Sequence, residues 1–95
     1  MITHVVLFRL KDRSDVSVEM AKKVLEGLSG RVPVLRHLEI GVDIIKSERS
    51  YDIALIAKFD SLEDLEAYQN HPFHLEVAGY MATVRDSAVA VDYES

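Results

Sequence analysis

The chain has 95 residues, 48% of them hydrophobic and 28% charged, with a net charge of −5. This is one globular domain's worth of chain, too mixed in composition to be disordered and too acidic to offer nucleic-acid phosphates a cationic face. The absence of cysteine excludes disulfides, thiolate metal sites and cysteine nucleophiles, and the longest apolar run, Ile53 to Ala57, is too short to cross a bilayer.

Residues 2–10 read as a strand rich in β-branched and aromatic side chains. Val6 and Phe8 point one way, Val5 and Leu7 the other, so both faces ask to be covered. Ser14, Asp15 and Ser17 offer N-caps for a first helix. Ala21, Val24, Leu25 and Leu28 recur on one helical face, and Ser29-Gly30, with Pro33 beyond, supplies the stop. Residues 34–45 read as a second strand, with Leu38, Ile40, Val42 and Ile44 on one parity and His37, Glu39 and Asp43 on the other. Gly41 inside it suggests a bulge or a close backbone approach.

Residues 46–50 form a polar turn, and residues 51–59 a third strand. Tyr51, Ile53, Leu55, Ala57 and Phe59 share one side of it; Ala54 and Ile56 centre the other. Ser61 with Asp64 resembles a capping box, and Leu62, Leu65 and Tyr68 then line one side of a second helix. His71-Pro72 breaks that helix. Pro72 suits the first position of a short third helix, along which His74, Val77, Ala78 and Met81 share a face. Residues 87–93 form the last strand.

The order β-α-β-β-α-(α)-β predicts an α+β protomer, a ferredoxin-like antiparallel four-stranded sheet with its helices on one face. The uncovered face carries Val5, Leu7, Ala54 and Ile56. The same face of a second copy is the simplest cover, so a homodimer with sheets packed face to face is expected.

His74 lies on the apolar stripe of the third helix. Burial disfavours the imidazolium, and a neutral imidazole near pH 7 is a competent general base. Tyr68, six residues earlier, would point roughly 120° away on an unbroken helix; the His71-Pro72 break is what allows both to aim at one pocket. His4 shares the parity of Val6 and Phe8, and Tyr51 that of Ile53 and Leu55. These polar groups are expected to converge on a pocket walled by Val6, Phe8, Ile53, Leu55, Leu65, Val77 and Met81, the general form of a small-molecule site. The chemistry that fits is proton abstraction next to a carbonyl by His74, with Tyr68 donating a hydrogen bond to the developing oxyanion. It requires no cofactor. The same side chains also read as core, with one hydrogen bond each. His71 and His74 have a metal-ligand spacing, but Pro72 sets His71 off the helix and no third ligand follows, so no metal site is expected. His37 reads as a surface or interface residue, and Arg49 as a turn residue. No nucleophile elbow or phosphate-cradling glycine loop occurs. No signal-peptide pattern is present, so a cytoplasmic location is expected.

The opening strand His4-Val5-Val6-Leu7-Phe8-Arg9-Leu10 resembles that of the stress-responsive dimeric α/β-barrel (Dabb) domain family. So do Arg49 to Leu55, Phe59 to Tyr68 and the ending Val91-Asp92-Tyr93. The segment Tyr68-Gln69-Asn70-His71-Pro72-Phe73-His74 matches the family's Tyr-x-x-His-Pro-x-His. The resemblance covers essentially the whole chain, one domain over 1–95, and implies a ferredoxin-like protomer whose dimer closes into a barrel. Members include plant stress proteins that look like assemblies and a plant polyketide cyclase, olivetolic acid cyclase, which closes a ring by aldol chemistry without a cofactor. Residue by residue, the cyclase's acid/base pair falls on Tyr68 and His74, and a histidine near its pocket falls on His4. A further pocket histidine falls on Ile53. The resemblance therefore implies His74 and Tyr68 as catalytic candidates and His4 as a pocket residue, the histidine contact at Ile53 being absent; together with the residues whose parity or helical face points to the same pocket, the ligand-binding candidates are His4, Val6, Phe8, Tyr51, Ile53, Leu55, His71, Val77 and Met81. Three functions stand open: a binder or cyclase acting on a small apolar carbonyl compound, a non-catalytic stress-responsive oligomer, and a cofactor-independent monooxygenase, for which no motif speaks.

Overall fold

Alternation along the strands organises the molecule, because a pleated strand sends successive side chains to opposite faces. A computed structural model describes residues 1–95 as β1 (Ile2–Leu10), α1 (Asp15–Glu26), β2 (His37–Val42), β3 (Ile53–Phe59), α2 (Leu62–Asn70), α3 (Pro72–Val84) and β4 (Arg85–Glu94). The strands form one sheet in the order β2-β3-β1-β4, every neighbouring pair antiparallel. This is the expected ferredoxin-like α+β arrangement. In β3, buried Ile53, Leu55, Ala57 and Phe59 alternate with half-buried Ala54, Ile56 and Lys58. The helices lie on the buried side. They contribute Val18, Ala21 and Leu25 from α1, Leu65 and Tyr68 from α2, and Met81 from α3.

The opposite face has no helix. Val5, Leu7, Ala54 and Ile56 lie there as expected, and β4 adds Val89, Val91 and Tyr93, paired in register with Leu7, Val5 and Thr3. Leu7, Val89, Val91 and Tyr93 are exposed. A contiguous apolar sheet face of this kind marks an interaction surface.

Several boundaries differ from the sequence reading. Helix α1 ends at Glu26 with Gly27 as its cap, earlier than Ser29-Gly30. The hydrogen bonds then tighten, Leu28 N–H to Leu25 and Ser29 N–H to Glu26. Gly30, at φ +76°, reverses the chain in the left-handed region that favours glycine. Strand β2 is shorter than 34–45. The Asp43 carboxylate accepts the Lys46 N–H at 2.6 Å, and Lys46 sits at φ 57°. The chain therefore turns out of the sheet and leaves Ile44 and Ile45 86% and 74% exposed. Gly41 pairs with Ala54 in unbroken register, and no atom beyond its own chain neighbours lies within 4 Å of where its Cβ would be, so it marks neither a bulge nor a close approach. Leu62 is 66% exposed and does not line the inner side of α2. Helix α3 is the longest of the three, not short. The one irregularity in the ladders lies where Arg9 pairs with Ser87 but Leu10 pairs with Arg85, so Asp86 bulges out of β4.

Candidate functional site

On the helix-facing side, β4 places Ala88, Ala90 and Asp92 beside Phe8, Val6 and His4 of β1. Two methyl groups fill little space, and no helix packs extensively on β4. The space left between this side of the sheet and α3 is a cavity of about 350 Å³ that opens to solvent. His4, Val6, Phe8, Leu55, Tyr68, His74, Val77 and Met81 line it as expected, joined by Leu25, Leu28, Ala78, Arg85 and Ala88.

Tyr51, Ile53 and His71 do not line it. The backbone bends at Asp52, just before β3. The Asp52 carboxylate turns inward to accept the Leu10 N–H at 2.8 Å and Arg13 Nε at 2.9 Å. Strand parity therefore does not extend back to Tyr51, which lies beside Leu7, Gly41 and Ala54 on the open face. Ile53 is sealed in the core, as is Leu65. His71 caps α3, its Nδ1 accepting the Phe73 N–H at 3.1 Å, and its ring stacks on Phe73.

That cap arms His74. In a continuous helix the Gln69 carbonyl would accept from the N–H four residues on, that of Phe73. Pro72 breaks the helix, His71 takes the Phe73 N–H, and the Gln69 carbonyl instead accepts from His74 Nδ1 at 3.0 Å. A carbonyl can only accept, so Nδ1 carries the proton and Nε2 is left as the basic nitrogen of the neutral ring. Burial lowers the His74 pKa below 6.5; the nearby His4 lowers it further, and the Gln69 hydrogen bond partly offsets both.

Tyr68 is 1% exposed, wedged between Phe59 and His74 with ring centroids 4.8 and 4.5 Å away. Burial pushes its phenol up to about 12, so it remains a proton donor. No protein group hydrogen-bonds its hydroxyl, yet the hydroxyl is not sealed from solvent. Tyr68 is a lining residue of the cavity, and no protein group takes up its hydroxyl's bonding capacity.

His4 meets Tyr68 edge-on, with centroids 6.2 Å apart. Its Nδ1 donates to the Asp92 carboxylate, directly across the β1–β4 ladder. Asp92 is the residue that sequence reasoning missed. The parity Ala88-Ala90-Asp92, a carboxylate on an otherwise small and apolar face, was the available signal. No cluster of three or more His, Asp or Glu side chains is arranged to hold a metal ion.

A second hollow, of about 390 Å³, lies at the other end of the sheet among Arg13, Asp15, Val18, Glu19, Val42, Asp43, Lys46 and Asp52. Its cations are already paired, Arg13 with Asp52 and Lys46 with Asp15, so it reads as a structural ion-pair network.

Residues 2–95 match the family described as Stress responsive A/B Barrel Domain, Dabb. The chain is 31% identical over 98 residues to stress-response A/B barrel domain-containing protein DABB1 of Arabidopsis thaliana, covering 98% of this chain and 46% of that relative, and so spans about half the relative's length. Among solved structures it resembles a dimeric ferredoxin-like protein of unknown function from Thermobifida fusca, with TM-score 0.87 and 30% identity over 99% of this chain and 90% of that one. It also resembles a dimeric protein of unknown function and ferredoxin-like fold from Bacteroides fragilis, with TM-score 0.84 and 31% identity over 99% and 95%. With Tyr68 and His74, the two ends of the family segment, both lining the cavity and the match running almost end to end, the chain belongs to the stress-responsive A/B barrel (Dabb) domain family.

Proposed function

We propose that the cavity binds a small, mainly apolar carbonyl compound and that His74 and Tyr68 move a proton on it without a cofactor. The observation that carries this reading is the convergence of a neutral imidazole and an unpartnered phenol on one open, apolar cavity. His74 Nε2 takes the proton next to the carbonyl, and the C–H electron pair moves into the enolate. Tyr68 donates its hydroxyl to the oxygen where charge develops. His4, oriented by Asp92, forms the third polar wall. The imidazolium of His74 then returns the proton once the enolate carbon has attacked a second carbonyl, as in an aldol closure. A purely structural role would leave this region a filled core; a cavity of about 350 Å³ favours a ligand.

The acting unit is a homodimer joined through the open sheet face. That face carries exposed Leu7, Val89, Val91 and Tyr93, and the Thermobifida fusca and Bacteroides fragilis proteins are described as dimeric.

The test is exchange of the α-protons of 2-heptanone in deuterated water, followed by NMR. The wild-type protein is expected to accelerate exchange well beyond free imidazole at equal concentration, and His74→Ala to abolish the excess while remaining folded. Wild-type exchange no faster than free imidazole contradicts the reading.

A further inference from the structure

Resting on the ligand site just proposed, we propose that Arg85 recognises an anionic end of the ligand, so that the cavity prefers an apolar carbonyl compound that also carries a carboxylate over a neutral one. Three observations carry this.

The first is placement. If β4 paired without interruption, Asp86 would face Leu10 on the helix side and Arg85 would face away. The bulge shifts the register by one, so Leu10 pairs with Arg85 and Asp86 is left out. A bulge commonly re-aims a side chain beside a functional site. Here it places a cation in the cavity lining where the regular ladder would place an acid.

The second is that this cation is unspent. The ion pairs of the chain engage His4, Arg13, Arg36 and Lys46 with Asp92, Asp52, Asp60 and Asp15; Arg85 is in none of them. Residues 48–95 hold three Lys/Arg, Arg49, Lys58 and Arg85, against ten Asp/Glu, and of these three Arg85 alone lines the cavity.

The third is position relative to the chemistry. Arg85 ends α3 and starts β4, and shares the cavity wall with Met81 and Ala88. His74 lies in the first turn of the same helix, so the ten residues between them place Arg85 roughly 16 Å along the axis at 1.5 Å per residue. The long Arg85 side chain and the His74 ring cover part of that span, and an extended chain of about eight carbons covers the remainder. The guanidinium fork matches the two oxygens of a carboxylate, so Arg85 would hold the acid end while the apolar body lies along Val77 and Met81.

The experiment compares octanoate with octanamide, equal in length but unequal in charge, by titration calorimetry at low ionic strength, with His74 ring resonances recorded in parallel. In the wild type, octanoate is expected to bind roughly tenfold more tightly than octanamide, the scale of one hydrogen bond to a charged group. Arg85→Gln should remove that preference without changing octanamide affinity, and Arg85→Lys should restore part of it. Equal affinity for the two probes in the wild type, or an octanoate preference that survives in Arg85→Gln, overturns the role of Arg85 while leaving the cavity reading intact. If neither probe binds, or both bind without moving the His74 resonances, the cavity reading itself fails and this inference with it.

Discussion

The two faces of the sheet are built from the same strands and the same alternation, yet they end differently. The inner face is covered by three helices, of which α1 and α2 pack closely on β2 and β3 while none packs as closely on β1 or β4. The result is a core at one end and a cavity at the other. The outer face is apolar at its centre and has no cover within the chain. One face thus keeps an open cavity, while the other presents an apolar surface on which the proposed homodimer would join. The difference arises from side-chain size and from what each strand's odd and even positions carry: Ala88 and Ala90 inside β4, Val89 and Val91 outside. In physical terms the inner face gives up packing and keeps an open space, and the outer face leaves apolar surface exposed.

Substitutions that strike one face should spare the other. The largest effect is expected from Leu7→Asp, which sets an unpaired charge in the outer face of both copies. The dimer dissociation constant should rise by roughly a thousandfold, or about 4 kcal/mol. Sedimentation velocity reads this directly, and an intact dimer at micromolar concentration contradicts the face-to-face arrangement. Next is Asp52→Ala, at the bend where strand parity is reset. It strands the Leu10 N–H and takes the ion-pair partner from the Arg13 guanidinium, which keeps only its bond to the Ser50 carbonyl, and should cost about 3 kcal/mol in chemical denaturation. A loss under about 1 kcal/mol would mean that the carboxylate does not hold the bend. Tyr68→Phe removes only the unspent hydroxyl. Because that hydroxyl bonds to no protein group, stability should hardly change, while α-proton exchange falls about a hundredfold. A substantial loss of stability in that variant would place the hydroxyl in the core after all. The smallest effect concerns pH. The folded-state pKa of His74 lies below 6.5, so folding favours the neutral ring. Its contribution is full above about pH 6.5 and is lost as pH falls through the lowered value. Denaturation midpoints from pH 7.5 to 5 should therefore decline less in His74→Ala than in the wild type.

The sequence made the strands legible because their alternation is undiluted: Ile53, Leu55, Ala57 and Phe59 announce their face without any tertiary information. His74 and Tyr68 were legible for a similar local reason, the proline break that re-aims one against the other. What parity could not reveal were the places where it is reset. The bend at Asp52 carries Tyr51 to the outer face, and the bulge at Asp86 carries Arg85 to the inner one. Asp92 was hidden by distance, since its partner His4 is 88 residues away and only the strand register joins them. Ile44 and Ile45 look like strand residues by composition, but the Asp43 carboxylate takes the Lys46 N–H and ends the strand first.

The pH dependence of wild-type 2-heptanone exchange, set beside that of His74→Ala, tests the acid/base site most directly. The wild-type rate should be flat through neutrality and fall only below pH 6.5, because the base is His74 and burial holds its pKa down, while Tyr68, pushed up to about 12, adds no limb in the accessible alkaline range. In His74→Ala that catalysed profile should be gone. A profile of unchanged height and shape in His74→Ala would place the base elsewhere and contradict the account.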